Sequence, residues 1–426
     1  MVLTKDFQGK RIGFVSTRFQ GIDGVSLETE KWASVLTGMG FQCFYFCGLS
    51  DRVPEQTLVV PEAFFAHPEV AALHARCFGT TVRDESITGE IHRLRQVLKK
   101  ELYTFLRQFH IDLLIVENAL SIPMHLPLGM AITEVLAETG LPSIGHHHDF
   151  HWERQRFSMS GVDDYIDMAF PPRLHAMSHV VINTEARRQL GHRRGLSSTV
   201  IPNVFDFEAR PREVDAYNRT LKADLGMEEG DVLILQPTRI IARKGIEHAI
   251  ELVSRLKDRR VTLLVSHQDR DEGADYYRRI VDYARILNVP LVAGGDFLGT
   301  ARGVNKVGKK IYDLWDCYAN ADFVTYPSSY EGFGNAFLEA VFFKKPLLVN
   351  RYSIFESDIE PLGFDVVTMD NYVTEETLQL VRTFLDDPQR RLAAVEHNFE
   401  IGRKFFSYKV LERALYAVLV GLGAVD

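Results

Sequence analysis

Short apolar runs alternate with longer amphipathic segments along almost the whole chain. Residues 11–15, 41–46, 113–116, 142–145, 180–182 and 199–201 read as strands. Between them, residues 27–36 and 91–109 place apolar side chains every three to four positions, the period of a helix packed on one face. Strands that are apolar throughout are buried on both faces, and strands separated by helices form a parallel sheet. The pattern breaks after residue 201, and residues 202 to about 230 are polar without clean periodicity. It then restarts, with strands predicted at 232–235, 261–265, 322–326 and 346–349 and helices at 245–256, 276–287 and 335–343. The chain therefore predicts an α/β protein of two Rossmann-like lobes facing each other across a cleft. The predicted domains are 1–201, 202–405 and a closing helical segment 406–426, whose lobe the periodicity does not decide.

Composition agrees with more than one core. The chain has 426 residues, and a single core stops growing near about 250–300. Hydrophobic residues make up 46% and charged residues 25%, an ordinary balance for a folded protein. The net charge of −8 argues against a general nucleic-acid coat but says nothing against one small anionic ligand. Cys43, Cys47, Cys77 and Cys317 form no CxxC pair, which points to free thiols and a reducing compartment. The first residues show no apolar signal core. The apolar stretch at 414–425 is shorter than the roughly 20 residues a bilayer crossing needs. The expectation is a cytoplasmic protein with small-molecule partners, no nucleic acid and no integral membrane segment, with homo-oligomers left open.

Ligands of open parallel sheets bind beyond the C-terminal ends of the strands, so four loops carry the most weight. The first, Gly21 to Ser26, holds Asp23 and Gly24. It suits close approach of an anion at a helix start, and equally a plain turn with a Ser or Asp cap. The second runs from Gly145 to Arg156 and contains His146, His147, His148, Asp149, His151, Trp152, Arg154 and Arg156. Three readings stay open there: packing alone, a structural metal, or a sugar-binding surface. In the last, Trp152 stacks on a pyranose, His147, Asp149 and His151 fix hydroxyls, and Arg154 and Arg156 hold an anionic acceptor. The third loop, Pro237 to Gly245, offers Arg239 and Lys244 to neutralise a diphosphate leaving group, or is a solvated charged turn. In the fourth, Glu331 and Glu339 are separated by seven residues around Gly332, Phe333, Gly334 and Asn335. Glu339 lies on an otherwise apolar helix, where a charge is rarely buried without a partner, and ribose hydroxyls would supply one.

On these motifs the chain resembles the retaining glycosyltransferases of the GT-B fold, glycosyltransferase family 4. Glu331 and Glu339 match the family's E-x7-E motif, Arg239 with Lys244 and Gly245 its phosphate-binding pair, and Asn203 its Pro-Asn turn. The resemblance implies that Glu331 contacts the donor hexose, Glu339 the nucleotide ribose, and Arg239 and Lys244 the pyrophosphate. It implies that a first-lobe histidine contacts the hexose near its 6-hydroxyl; His148 fits, with His146 and His147 competing for the register. The last helix is expected to cross back to the first lobe. Gly24 and the backbone of residues 332–335 complete the expected donor site. The family usually has Gly where this chain has Val204. The second loop is also similar to those of enzymes making mannosylated compatible solutes. The implied reaction moves a hexose from GDP-mannose or UDP-glucose to a hydroxyl of a small anionic acceptor such as glucosylglycerate. No resident cofactor is required, and a divalent cation is allowed without being implied. A phosphorylase or epimerase of the same fold, or a non-catalytic nucleotide-sugar binder, are the alternatives.

Overall fold

The computed structural model describes residues 7–21, 23–267, 274–295 and 297–423. The chain folds into two compact units, Met1–Val204 with Tyr408–Asp426, and Phe205–Ser407.

The first unit is built on seven strands: β1 (Arg11–Val15), β2 (Gln42–Cys47), β3 (Thr57–Val59), β4 (Leu113–Glu117), β5 (Ser143–His147), β6 (Met177–Val181) and β7 (Thr199–Val200). All pair in parallel, in the order β3-β2-β1-β4-β5-β6-β7. β4 shows why its sequence is apolar throughout. Leu113 and Ile115 enter one core layer with Trp32 and Leu36 of the helix Gly24–Gly38. Leu114 and Val116 enter the opposite layer with Leu98, Leu102 and Phe105 of the helix Glu85–Phe109. Both faces of the sheet are covered, so the period-2 alternation sorts residues between two cores rather than between core and water. The helix Tyr408–Gly421 adds Leu411, Leu415, Val418 and Leu419 to the first of these layers, so the end of the chain returns to the first unit. Val204 is fully buried in the same layer, which gives a packing reason for a side chain where the family usually has none.

The second unit carries β8 (Val232–Arg239), β9 (Val261–His267), β10 (Leu291–Ala293), a short hairpin of β11 (Gly303–Val304) and β12 (Lys310–Ile311), β13 (Phe323–Tyr326), β14 (Leu347–Asn350) and β15 (Val367–Met369). Its six-stranded sheet is parallel in the order β10-β9-β8-β13-β14-β15. The helix Ile246–Arg255 covers one face, packing Ile246, Ala249, Ile250 and Val253 against Ile234, Leu263, Val265 and Phe323.

In each sheet the strand order reverses once, between β1 and β4 in the first unit and between β8 and β13 in the second. Crevices at such reversals are where open α/β sheets bind ligands. Among the described residues, no helix is long and apolar enough to cross a membrane. The sequence leaves reading of the nucleotide base to the region Val292 to Gly299 and the loop Ser266 to Asp271; of these, Gln268 to Asp271 and Asp296 lie outside the described residues, as does Ile22 of the first loop.

Candidate active site

In the first unit the site forms at the C-terminal ends of β4 and β5. β5 extends to His147, two residues beyond the predicted end. Alternation along it sends His146 and His148 to one face and His147 to the other. Parallel register pairs His146 directly with Glu117. Glu117 Oε2 accepts hydrogen bonds from His146 Nδ1 at 2.9 Å and His148 Nε2 at 3.2 Å. His146 is fully buried and stacked on Trp32, with ring centroids 4.0 Å apart. Of the three consecutive histidines only His148 is not fully buried, its side chain 10% exposed. Burial pushes the Glu117 carboxyl up, but the two imidazoles outweigh it and hold the group down at about 2. Burial lowers His146; it also acts on His148, where the hydrogen bond and charge of Glu117 win and raise the pKa.

Glu117, His146 and His148 place ligand atoms within 4.8 Å of one another, the one group of three with metal-like spacing among the described residues. The three residues already meet in hydrogen bonds at Glu117 Oε2. We read the cluster as a hydrogen-bond network.

On the other face, Ser121 Oγ lies 2.5 Å from His147 Nδ1, and His147 Nε2 lies 3.0 Å from His179 Nδ1. A Cβ at position 145 would sit 3.0 Å from the His147 ring, so Gly145 makes room for it. Burial keeps His147 well below its ordinary pKa and His179 at about 4, so this chain is neutral.

In the second unit the loop after β8 meets the loop after β13. Glu331, 7% exposed, bonds Arg243 Nη1 at 2.8 Å through Oε2 and the Lys244 ammonium through Oε1. Burial lowers Lys244, and the Glu331 charge opposes that. Burial likewise raises Glu331, but Lys244 and Arg243 outweigh it and hold the carboxyl down. Gly245 has φ +59° and a Cβ there would lie 2.4 Å from the Pro327 carbonyl oxygen, so only glycine lets the two loops close. Arg239 stands exposed at the end of β8, after a register shift that re-aims the strand end. Glu339, on the helix Asn335–Phe342, accepts from Tyr318 Oη at 2.9 Å. Gly334, at φ +130°, starts that helix without a side-chain cap.

The family model for glycosyl transferases group 1 matches residues 298–400, which span the helix and turn bearing Glu331 and Glu339. Mannosylglucosylglycerate synthase of Petrotoga mobilis is 34% identical over 84% of this chain and 86% of its own length. That of Thermotoga maritima is 32% identical over 95% of this chain and 98% of its own. The chain belongs to the group 1 glycosyltransferases, family 4. A glycosyltransferase of Rickettsia africae shares the fold, with a TM-score of 0.70 at 12% identity, covering 98% of this chain and 99% of its own. The protein is thus a retaining GT-B glycosyltransferase that acts on a nucleotide diphosphate sugar.

Within this glycosyltransferase several expected acceptor groups are engaged elsewhere. His147 is 1% exposed with both ring nitrogens engaged, so it is a structural residue and not an acceptor contact. Asp23 caps the helix Gly24–Gly38, accepting from Val25 N, Ser26 N and Ser26 Oγ, and pairs with Arg18, so the Asp cap expected of that loop is present. Trp152 is stacked on Phe150 at 4.4 Å with the Arg193 guanidinium over its ring, so it offers no open face to a pyranose. Asp149 accepts from Asn118 Nδ2 and pairs with Arg154, which makes it part of the loop's own frame. Arg156 is exposed over Phe157, and His151 is half-buried with its pKa pushed by burial down to about 4. Phe333 is 3% exposed and packs edge-on to Phe406, so its ring is core. Gly24 is an exposed first-turn residue, and Gly332 and Asn335 are half-buried in the turn.

Glu117, Asn118, Arg243 and Tyr318 are the site groups that sequence reasoning missed. Arg243 was visible in its loop, but its contact with Glu331 spans 88 positions. Glu117 ends an apolar strand, and a charge in that position was the available signal.

Proposed function

We propose that this glycosyltransferase moves a hexose, mannose from GDP-mannose or glucose from UDP-glucose, onto a hydroxyl of a small anionic acceptor such as glucosylglycerate. The observation that carries the reading is the pair of mannosylglucosylglycerate synthases that align with 84% and 95% of the chain. In this reading the second unit binds the nucleotide sugar and the first unit binds the acceptor. Arg239 and Lys244 meet the diphosphate, Glu331 and the backbone of Gly332, Gly334 and Asn335 the hexose, and Glu339 the ribose. His148 and Gly24 contact the hexose. Arg154, oriented by Asp149, together with Arg156 and His151 faces the acceptor carboxylate.

The acceptor hydroxyl attacks the anomeric carbon from the face the diphosphate leaves. The C–O bond to the phosphate breaks, a phosphate oxygen takes the acceptor proton, and the α configuration is kept. Arg239 and Lys244 act on the charge that builds on the leaving oxygen, where fixed cations lower the barrier most. The buried, unbridged cysteines support a cytoplasmic location.

The test is thermal unfolding against UDP, GDP, ADP and their glucose and mannose conjugates, followed by product analysis with glucosylglycerate. A ligand held at 100 times its Kd stabilises the native state by about 3 kcal/mol. The expected result is stabilisation by one nucleotide family and an α-linked product on glucosylglycerate. A folded sample that answers to no nucleotide overturns the donor reading. Transfer to neutral sugars but not to glycerate-type anions overturns the acceptor reading.

A further inference from the structure

Glu117 is an expensive residue. It is fully buried at the end of β4, on the face where Leu113 and Ile115 enter the apolar layer under the helix Gly24–Gly38. Its Oε1 has no hydrogen-bond partner. A buried carboxylate with one oxygen unpaired is a poor way to hold a core together, and an aliphatic side chain would serve packing better. Its one engaged oxygen instead grips His146 and His148.

The neighbouring residue acts on the same histidine. Asn118 is buried, sits at φ +57°, and accepts the His148 backbone N–H on its Oδ1 at 3.0 Å. Its Nδ2 donates to Asp149 at 2.8 Å, which holds the amide in that orientation. Two consecutive residues at the switch between β1 and β4 thus fix His148 at both ends, the backbone through Asn118 and the ring through Glu117. An ionised carboxylate only accepts, so it requires a proton on His148 Nε2 and leaves Nδ1 as the atom the ring can offer to a ligand.

We propose that Glu117 is a positioning residue for glycosyl transfer, which together with Asn118 clamps His148 so that Nδ1 is presented to the hexose of the donor. The inference rests on the reading above that His148 contacts the donor sugar. His146, stacked on Trp32, donates to the same carboxylate oxygen. Groups held by a second layer of hydrogen bonds keep a productive geometry that a free side chain would sample only part of the time.

Glu117→Gln keeps the shape and removes the charge, and His148→Asn removes the ring. Turnover, acceptor KM, and binding of free nucleotide and nucleotide sugar are measured for both variants and for the double variant, using whichever of GDP-mannose and UDP-glucose the nucleotide panel selects. Glu117→Gln is expected to lower kcat at least tenfold and to weaken nucleotide sugar while binding free GDP or UDP as the wild type does. The double variant is expected to match His148→Asn alone, because a residue acting through another is non-additive with it. Nitrogen chemical shifts of the His148 ring should show Nε2 protonated in the wild type and mixed tautomers in Glu117→Gln. If Glu117→Gln fails to fold, Asn118→Gly, which keeps the left-handed backbone and removes the other half of the clamp, should give the same split between nucleotide and nucleotide sugar. Wild-type kcat and tautomer in Glu117→Gln, or additive losses in the double variant, overturn the clamp. Wild-type turnover in His148→Asn instead overturns the donor contact itself.

Discussion

Acid should destabilise the first unit in part through a histidine that has no part in the chemistry. His125 is 2% exposed and stands at the N-cap of the helix Leu126–Thr139. Its Nδ1 accepts the Leu128 N–H at 3.2 Å and its Nε2 faces the Glu62 carbonyl at 2.7 Å. The neutral ring makes both bonds. A second proton would sit on Nδ1 and point at the Leu128 N–H. Burial holds the pKa at about 4, against 6.5 for a free imidazole. Because the folded value is the lower one, the unfolded chain takes up the proton first. The stabilisation is complete above pH 6.5 and is lost as pH falls toward 4. At about 1.4 kcal/mol per tenfold in proton affinity, the full loss is about 3 kcal/mol, of which about 2 kcal/mol is gone at pH 5. Set against a typical domain stability of about 5–15 kcal/mol, that moves a urea midpoint visibly.

The comparison variant is His125→Asn, whose side-chain oxygen can still cap Leu128 but does not titrate. It should be less stable at every pH, by about 1–3 kcal/mol, for the lost packing and the bond to Glu62. Between pH 7 and pH 5, however, it should lose about 2 kcal/mol less than the parent. Urea unfolding is followed by tryptophan fluorescence in a Trp315→Phe background, which leaves Trp32 and Trp152, both in the first unit, as reporters. Parallel pH dependences in the two proteins would refute the reasoning.

Two predictions concern the second unit. Lys244→Met should lower turnover about 100-fold or more, since a fixed cation at the leaving group is lost, and should destabilise the fold by stranding Glu331 with Arg243 alone. Adding Glu331→Gln should restore the unfolding temperature but not the turnover; recovery of turnover would show that Lys244 serves only the ion pair. Gly245→Ala forces a Cβ to within 2.4 Å of the Pro327 carbonyl at a positive φ, so the loops after β8 and β13 must part. Nucleotide-induced stabilisation should vanish in that variant, and a wild-type thermal shift would show that the loop junction is not part of the nucleotide site.

The sheets were legible because strands buried on two faces leave unbroken apolar runs, as residues 113–116 do. The helix Leu126–Thr139 was not, because most of it is buried all round and it has no polar face to give a period. The three-residue strands β3, β10 and β15 are too short to alternate visibly. Glu331 and Glu339 could be read because one loop and the helix after it carry both. The Glu117 cluster could not, since it arises from the register of β4 against β5, with partners 29 and 31 positions apart. The role given to His147 turned on where β5 ends. A strand stopping at Gly145 leaves all three histidines in a loop, whereas one reaching His147 assigns each to a face by alternation.

The two units use a common device, a buried carboxylate that fixes a nitrogen group before any ligand arrives. Glu117 does this for His148 and Glu331 for Lys244. In the second unit the consequence is electrostatic. Burial lowers the Lys244 pKa, and the Glu331 charge opposes that. A diphosphate that took over Lys244 would exchange one anionic partner for another, so the cost of desolvating the cation is met in folding and not in binding. Glu331 would then be released from one cation as the hexose hydroxyls reach it, with Arg243 still in place. A kinetic loss in a Glu331 variant therefore mixes two effects, the missing hexose contact and a weakened charge on Lys244. They separate by substrate: the first is felt only by the nucleotide sugar, the second also by the free nucleotide diphosphate.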